Sequence, residues 1–321
     1  MGDSRRARRL AAMPLYLRES DVEQLLPAAD AVEAVEECFA RLARGAIDNR
    51  SRFRIKLDAG QQHTMAAADS ELGVSGLKTY VGFAEGATFV VVLFAFDRPE
   101  VIAIIEADRL GQLRTGAASG VAARRLAKTG ARSLGVIGCG WQAESQVACI
   151  RAAVPEIEEV LVYCRDADRR AAFAAAVGGT AVEYNKETAQ ADIVVAATTS
   201  KDPVLRGEWL QPGALVCAIG ANRLRARELD NAVLDRASFV CCDSREQCKI
   251  EAGDLAEPVE QGILDWLEVH ELADVVAGDV AGRASDEDIV VFKSVGIAAE
   301  DLAVGKLVVD RALERGLGLE L

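Results

Sequence analysis

The sequence predicts an α/β protein built from two kinds of sheet, and three observations lead to this prediction. Residues 133–137 form a short apolar run, followed by a glycine motif and a helical stretch. Six apolar β segments then alternate with helical stretches. Between Arg52 and Asp108, by contrast, strand-like segments follow one another directly. Alternation predicts a Rossmann-type doubly wound sheet, and the consecutive strands predict a separate α+β domain.

The N-terminal part begins with helices and continues as strands. Glu19 to Arg44 carries a capping pattern and then an apolar stripe at helical spacing, which predicts a helix pair. The turn sequence DRPE separates the last two strand segments and predicts a hairpin in a mainly antiparallel sheet. The strand segments are RFRIKL, HTMAAA, GLKTYVGF, ATFVVVLFAF and EVIAIIEA. Pairing of two such sheets would cover their exposed edges, so we expect a homodimer.

A helix rich in small residues, Thr115 to Ala127, leads into the alternating part. A final helix from Ala299 to Arg315 is expected to return to the first domain, with an apolar face that contains Leu302, Val304, Leu307, Val308 and Leu313. We therefore assign residues 1–127 and 300–321 to a substrate-binding and dimerisation domain, and residues 128–299 to a dinucleotide-binding domain. The six β segments of the latter are SLGVIG, EEVLVYC, TAVEY, DIVVAAT, ALVCAIG and ASFVCCD.

The glycine motif follows the first of these segments. Gly138, Gly140 and Ala143 fit the pattern G-x-G-x-x-A between a strand and a helix. In that arrangement backbone N–H groups and a helix N-terminus face a pyrophosphate. Gly138 and Gly140, together with Trp141 and Gln142, are therefore candidate cofactor-binding residues.

The end of the second strand distinguishes between cofactors. An acidic residue there binds the ribose 2′-hydroxyl, whereas an arginine accommodates a 2′-phosphate. The sequence is VLVYCRDADRR, in which Arg165 and Arg169 favour NADP(H), while NAD(H) stays possible. Asp166 is interpreted as the cap of the next helix. The alternative is that both arginines are simply solvated.

Composition excludes several classes of protein. The formal charge of −13 argues against nucleic acid or an anionic membrane as the main partner. The apolar run from Phe89 to Phe96 is too short to span a bilayer. Eight scattered cysteines and two histidines predict no metal site and a reducing cytoplasm. The segment Arg5 to Leu10 has no apolar region behind it, so we expect a disordered tail rather than a secretory signal.

Five motifs in order give a more specific prediction: LRTGAASGVAARRLA, GVIGCGWQAESQ, ADIVVAATTSKDPVL, GANRLRARELD and VFKSVGIAAEDLAVGK. Together they resemble the ornithine cyclodeaminase/mu-crystallin family from about Leu15 to Gly316. The resemblance implies a homodimer and a nicotinamide-dependent reaction at the α-carbon C–N bond of an amino or imino acid. Family members include cyclodeaminases, an alanine dehydrogenase type and ketimine reductases.

The resemblance also implies which cations bind the substrate carboxylate. Lys78 and Arg114 match the family positions, and Arg52 is the third, with Arg54 as the alternative alignment. An arginine offers a bidentate fork to a carboxylate, and a lysine can also donate a proton. Without the resemblance, the spacing of the residues favours an alternative interpretation. In that alternative, Lys78 is a lysine at the edge of a strand and Arg114 is a surface arginine near a helix cap.

Four further residues follow from the resemblance. Thr115 lies next to the substrate arginine, and Thr198, Val295 and Gly296 lie where the family approaches the nicotinamide. For Thr198 and Val295, packing at strand ends is the alternative.

Asn222 stands where the cyclodeaminases and the alanine dehydrogenase type have an aspartate. An amide cannot act as a general base. With Arg165, this favours an NADPH-dependent ketimine reductase of the pyrroline-2-carboxylate type. A cyclodeaminase or amino-acid dehydrogenase that uses Glu228 or Asp230 is the alternative, although we expect this pair to be structural. A non-catalytic protein that binds NADPH and a small ligand is a further alternative.

Overall fold

The structure is a computed structural model that describes residues 13–321, so the segment Arg5 to Leu10 lies outside it. The strands are β1 (Leu15–Leu17), β2 (Ile47–Lys56), β3 (Gln61–Asp69), β4 (Val74–Phe83), β5 (Gly86–Ala95), β6 (Val101–Glu106), β7 (Ser133–Ile137), β8 (Glu159–Tyr163), β9 (Thr180–Ala181), β10 (Ile193–Ala196), β11 (Leu215–Ala218), β12 (Phe239–Cys242), β13 (Val269–Glu271), β14 (Val290–Lys293) and β15 (Leu319–Glu320). The helices are α1 (Glu19–Leu25), α2 (Ala28–Ala43), α3 (Asp108–Leu126), α4 (Trp141–Ala153), α5 (Ala167–Val177), α6 (Asn185–Thr188), α7 (Asn231–Asp235), α8 (Arg245–Glu251), α9 (Gly253–Glu260), α10 (Leu272–Ala277) and α11 (Ala298–Arg315).

The first sheet has the order β15-β1-β6-β5-β4-β3-β2, and β2 to β6 are antiparallel neighbours. The predicted β5–β6 hairpin is confirmed. One register row, Met65, Lys78, Val91 and Ile105, is buried on the inner face. Helix α11 covers this face. The next row, Ala66, Leu77, Val92 and Ile104, is half-buried on the opposite face.

A β-bulge interrupts β2 beside the site described below. Arg50 pairs with Ala66 and Phe53 pairs with Thr64, so β2 has one residue more than β3 across this interval. An extra residue shifts the alternation of side chains between the two faces. The bulge thereby places Arg52 on the inner face, where its Nε lies 3.4 Å from the Met65 sulfur.

The second sheet has the order β13-β12-β14-β11-β10-β7-β8-β9 and is entirely parallel. The predicted fold class is confirmed. Two strands, β13 and β14, were not predicted, and β14 inserts between β11 and β12. The segment TAVEY was predicted as a strand, but only Thr180–Ala181 pairs, because it lies at the exposed edge.

Helix α3 begins at Asp108 rather than at the predicted Thr115. Its small residues bring it against α4: a Cβ added at Gly116 would lie 2.3 Å from the Ser145 carbonyl oxygen. Helix α11 buries Leu302, Val304 and Val308 as predicted. The inclusion of Leu313 in the buried face was wrong, since it is 65% exposed near the end of the helix.

The strands of the first sheet come from residues 15–106 and 319–320, and those of the second from residues 133–293. The division at 127/128 and 299/300 stays a prediction. Within residues 13–321, no helix combines the length and the apolar character needed to cross a membrane.

Candidate active site

Two adjoining cavities lie where the order of the second sheet reverses, between β7 and β10. Ligands of doubly wound folds bind at such a point, outside the carboxyl ends of the strands. The inner cavity, of about 390 Å³, reaches the inner face of the first sheet. The outer cavity, of about 720 Å³, lies beside the end of β8. Both are lined by Gly140 and Thr198.

The structure brings all the site residues predicted from the sequence to these two cavities. The inner cavity is lined by Arg52, Lys78, Arg114, Thr115, Gly140, Trp141, Gln142, Thr198, Asn222, Val295 and Gly296. The outer cavity adds Gly138, Arg165 and Arg169. Of the two alternative arginines, Arg52 lines the inner cavity, whereas Arg54 lies behind it.

Lys78 occupies the middle of β4, a central strand, and is 3% exposed. The alternative of a strand-edge lysine is therefore wrong. Its Nζ donates a hydrogen bond to Asp301 Oδ1 at 2.9 Å and lies 5.6 Å from the centre of the Phe89 ring. Burial lowers the pKa of Lys78 to about 8, against the opposing effect of Asp301. An ammonium with such a pKa can donate its proton near neutral pH.

Arg114 lies inside α3 and is buried, so the alternative of a surface residue near a helix cap is also wrong. Its Nε donates to Asp301 Oδ1 at 2.9 Å, and its Nη1 donates to Glu300 Oε2 at 3.0 Å. Asp301 therefore accepts from both Lys78 and Arg114. Burial raises the pKa of Glu300 to about 8.

Arg52 extends from the bulge of β2 toward the second sheet. Its Nη1 donates to Glu251 Oε2 at 3.0 Å, and its Nη2 donates to the carbonyls of Val295 at 2.9 Å and Gly296 at 3.2 Å. Arg54 donates to the same Glu251 oxygen and, at 3.0 Å, to the Asn222 carbonyl. Arg52 thus connects the two sheets across the cavity wall.

The cations have partners in the protein, which the sequence analysis missed. Four cations, Arg52, Arg54, Lys78 and Arg114, face three carboxylates. The carboxylates are Glu251, Glu300 and Asp301. A fourth buried carboxylate, Asp243, also acts on Arg114 and Glu300. Protonation of Glu300 leaves positive charge in excess, which favours an anionic ligand. Two adjacent acids in the first turn of a helix whose apolar face is buried were the available signal for Glu300 and Asp301.

Two glycines leave room for the side chains of Lys78 and Arg114. A Cβ at Gly111, in α3, would lie 2.6 Å from Lys78 Nζ. A Cβ at Gly296 would lie 2.1 Å from Arg114 Nη1, and Gly296 has a φ of +75°. Other cavity residues that the sequence analysis missed are Tyr80, Phe89, Asp108, Gln112, Thr199, Ile219, Gly220 and Ser294.

The glycine loop has the shape that a pyrophosphate requires. Gly138 has a φ of +116°, and a Cβ there would lie 2.3 Å from the Ala197 carbonyl oxygen, so β7 and β10 can approach only with glycine. A Cβ at Gly140 would meet nothing within 4 Å, which leaves open space in front of the N-terminus of α4. The residues present therefore fit the phosphates of a dinucleotide.

Glu228 supports the loops that close the site. Its carboxylate accepts from Thr198 N and Oγ1, at 2.6 and 2.8 Å, and from Gly220 N at 2.6 Å. Burial raises the pKa of Glu228 to about 7. Asp230 caps α7. Both acids thus make structural contacts, as expected.

Arg165 and Arg169 are exposed on the outer cavity. Asp166 caps α5 by accepting from Arg169 N at 3.0 Å, as predicted. The two guanidinium groups therefore flank the end of β8, where a ribose or its 2′-phosphate would lie.

A sequence model of the ornithine cyclodeaminase/mu-crystallin family matches residues 12–316. The chain belongs to this family. It is 38% identical over 237 residues to a Delta(1)-pyrroline-2-carboxylate reductase of Bacillus cereus, covering 71% of this chain and 72% of that protein.

Two solved structures of the family superpose closely on this chain. The Delta(1)-pyrroline-2-carboxylate reductase of Thermococcus litoralis, in complex with NADH and L-proline, has a TM-score of 0.90 and 30% identity, covering 96% of this chain and all of that one. An archaeal alanine dehydrogenase dimer with bound NAD has a TM-score of 0.90 and 30% identity, covering 96% and 98%.

Proposed function

We propose that this protein reduces a ketimine of the pyrroline-2-carboxylate type to the corresponding amino acid with NAD(P)H. The observation that supports the proposal is the buried cluster of Arg52, Lys78 and Arg114 on a cavity that continues into a glycine loop. The enzyme class is that of oxidoreductases that act on C–N bonds with a nicotinamide dinucleotide. The relatives from Bacillus cereus and Thermococcus litoralis, both pyrroline-2-carboxylate reductases, support the substrate class.

The cluster can bind and orient an α-imino acid. Arg114 and Arg52 present donors to the substrate carboxylate, and their own carboxylate partners keep the guanidinium planes in place. Gly138, Gly140, Trp141 and Gln142 would hold the pyrophosphate, and Thr198, Val295 and Gly296 would bound the nicotinamide. The bound dinucleotide supplies the hydride. Lys78 donates a proton to the imine nitrogen as the carbon is reduced.

Asn222 favours reduction over cyclodeamination. It lies on the inner cavity, and its side-chain amide cannot take up a proton. Among the described residues that line this cavity, Asp108 is the one carboxylate, and it is exposed at the start of α3. Reduction of a preformed imine needs a proton donor but no base, and Lys78 is such a donor.

The decisive experiment mixes the purified protein with pyrroline-2-carboxylate and follows the near-ultraviolet absorbance of NADPH, with NADH in parallel. We expect oxidation of the cofactor and formation of proline. Ammonia release from ornithine without reduction of the imine would replace the proposal with a cyclodeaminase. A change in cofactor fluorescence without oxidation, for every imino acid tried, would indicate a non-catalytic binding protein.

The rate of reduction is expected to fall as the pH rises through about 8. The protonated form of Lys78 is the active one, and its pKa lies near 8 because of burial. Above that value, kcat/KM should decrease by about tenfold per pH unit. In the reverse direction, oxidation of L-proline requires the neutral amine of Lys78 to accept the proton. The rate of proline oxidation should therefore rise over the same pH interval. Because Glu300 titrates near the same pH, Glu300→Gln is the control, and it should retain the inflection.

We propose that NADPH is preferred to NADH because of Arg165 and Arg169. The double variant Arg165→Ser/Arg169→Ser should weaken NADPH binding by about tenfold or more and change NADH binding less than about twofold. Fluorescence titration with each cofactor measures this. Arg206→Ser, an exposed arginine that pairs with Glu208, is the matched control. Equal losses for both cofactors would contradict a role in 2′-phosphate binding.

We also propose a homodimer formed through the first sheet. Its outer face carries the half-buried row Ala66, Leu77, Val92 and Ile104, and Phe53 on the same face is 56% exposed. Such a face needs a cover. The archaeal alanine dehydrogenase relative is a dimer. Solution scattering at micromolar concentration should give the mass of two chains, and the mass of one would contradict the proposal.

The proposed location is the cytoplasm. Six of the eight cysteines are free thiols, which is typical of proteins from reducing compartments. Labelling of the protein in fractionated cells tests this proposal, and recovery from a secreted fraction would contradict it.

A further inference from the structure

The structure contains a disulfide between Cys139 and Cys164, whose Cα atoms lie 5.9 Å apart. Cys139 stands between the two glycines of the loop, and Cys164 follows the last residue of β8. Both are partly exposed and line the outer cavity. The bond therefore joins the phosphate loop to the segment that recognises the ribose.

The other cysteines differ from this pair in their surroundings. Cys38, Cys149, Cys217, Cys241, Cys242 and Cys248 are free and buried. Burial raises the pKa of Cys149 and Cys217 to about 12. Buried thiols of this kind react poorly, because the thiolate is the reactive form. All eight cysteines lie within the described residues. Among them, Cys139 and Cys164 are the two that solvent reaches, and both line the outer cavity.

The position of the bond points to control rather than to stability. In doubly wound folds the residue after the second strand contacts the adenosine ribose, and the glycine loop contacts the pyrophosphate. Cys164 and Cys139 occupy these two places. A disulfide in a protein of a reducing compartment is more often transient and redox-sensing than structural.

We propose that Cys139 and Cys164 form a redox-controlled modification site that ties the glycine loop to the end of β8 when oxidised and so restrains the ribose end of the cofactor cleft. The oxidant is a low-molecular-weight disulfide. One cysteine thiolate attacks it, forms a mixed disulfide and releases one thiol. The second cysteine then displaces the other thiol. The protein loses two electrons and two protons, and the small disulfide is reduced to two thiols.

Oxidation should weaken binding of the dinucleotide. The bond fixes the loop residue to the end of β8, so neither side chain can turn away from the ribose. It also prevents the loop from moving apart from the strand as the cofactor enters. This inference rests on the proposed use of a nicotinamide dinucleotide. We expect the dissociation constant of the dinucleotide to be at least tenfold higher for the oxidised protein than for the reduced protein.

The experiment compares the full chain after treatment with dithiothreitol and after treatment with oxidised glutathione. Thiols are counted in denaturant, and eight should be found in the reduced form and six in the oxidised form. Binding of NADPH and NADH is then followed by quenching of tryptophan fluorescence. Trp141 lines the inner cavity and should report it. Renewed treatment with dithiothreitol should restore the affinity.

Two variants separate the pair from other effects of oxidation. Cys139→Ser/Cys164→Ser should keep six thiols and the same affinity under both treatments. Cys38→Ala, which changes a cysteine of α2 outside both cavities, should keep the tenfold response. Eight thiols after oxidation, or equal affinity of the two forms, would overturn the inference while leaving the proposed function intact. If the reduced protein binds neither dinucleotide, the proposed function fails and the inference with it.

Discussion

Replacement of Arg114 by methionine should lower kcat/KM for pyrroline-2-carboxylate by about 100- to 1000-fold. Such a factor corresponds to about 3–4 kcal/mol, the range observed when one member of a buried, hydrogen-bonded charge pair is removed. The variant loses the fork that binds the substrate carboxylate. It also leaves Glu300 and part of Asp301 without a cation. Steady-state kinetics with saturating cofactor measures the loss.

A matched variant on the same helix separates this effect from damage to the fold. Arg124 lies in the last turn of α3 and pairs with Glu33 and Glu36, away from both cavities. Arg124→Met should change kcat/KM by less than about twofold. Arg114→Lys keeps the charge but not the fork, and should recover part of the activity. A folded Arg114→Met variant, with cooperative thermal unfolding and nearly full activity, would show that the substrate binds elsewhere.

Replacement of Lys78 by methionine should lower kcat by about 100- to 10,000-fold, because a general acid contributes that much. The methionine has nearly the length of the lysine but cannot donate a proton. Binding of NADPH should change little, because Lys78 lies on β4 of the first sheet whereas the glycine loop follows β7 of the second. Single-turnover rates of NADPH oxidation, measured together with the affinity for NADPH, distinguish the two effects.

The control for Lys78 is Lys306→Met in α11, a lysine that pairs with Asp310 on the same helix. It should retain full activity. Lys78→Met, by contrast, should lose the decline in kcat/KM above about pH 8 that the wild type is expected to show. A loss smaller than about tenfold for Lys78→Met would remove Lys78 from the proton transfer.

The sequence alone predicts the second sheet well, because its strands are short apolar runs at regular spacing after a glycine turn. It predicts less about strands whose order is decided by tertiary contacts. Strand β14 is the last in the second sheet along the chain, yet it pairs with β11 and β12. Nothing in the local pattern of VVFK states which neighbours it will have.

The site was predicted unevenly for a similar reason. The cations and the glycine loop lie in recognisable motifs, so their positions were expected before the structure. Arg52 and Arg54 both lie on the inner face of β2, and only their position along the strand relative to the cavity decides that Arg52 lines it, which no local signal in NRSRF specifies. The acids that pair with the cations come from α8 and α11, and their contacts became visible only when those helices were packed against the sheet.

The acids of α11 have a consequence for the order in which the molecule assembles. Asp301 is separated by 223 residues from Lys78 and by 187 residues from Arg114. Contacts of such long range require closure of a large loop, whose entropy cost is met before the contacts stabilise the fold. Until α11 packs against the first sheet, the amine of Lys78 and the guanidinium of Arg114 stay hydrated, and the inner face of that sheet stays exposed to solvent. Maturation of the binding pocket is thus coupled to the last helix of the chain, even though that helix does not line the pocket.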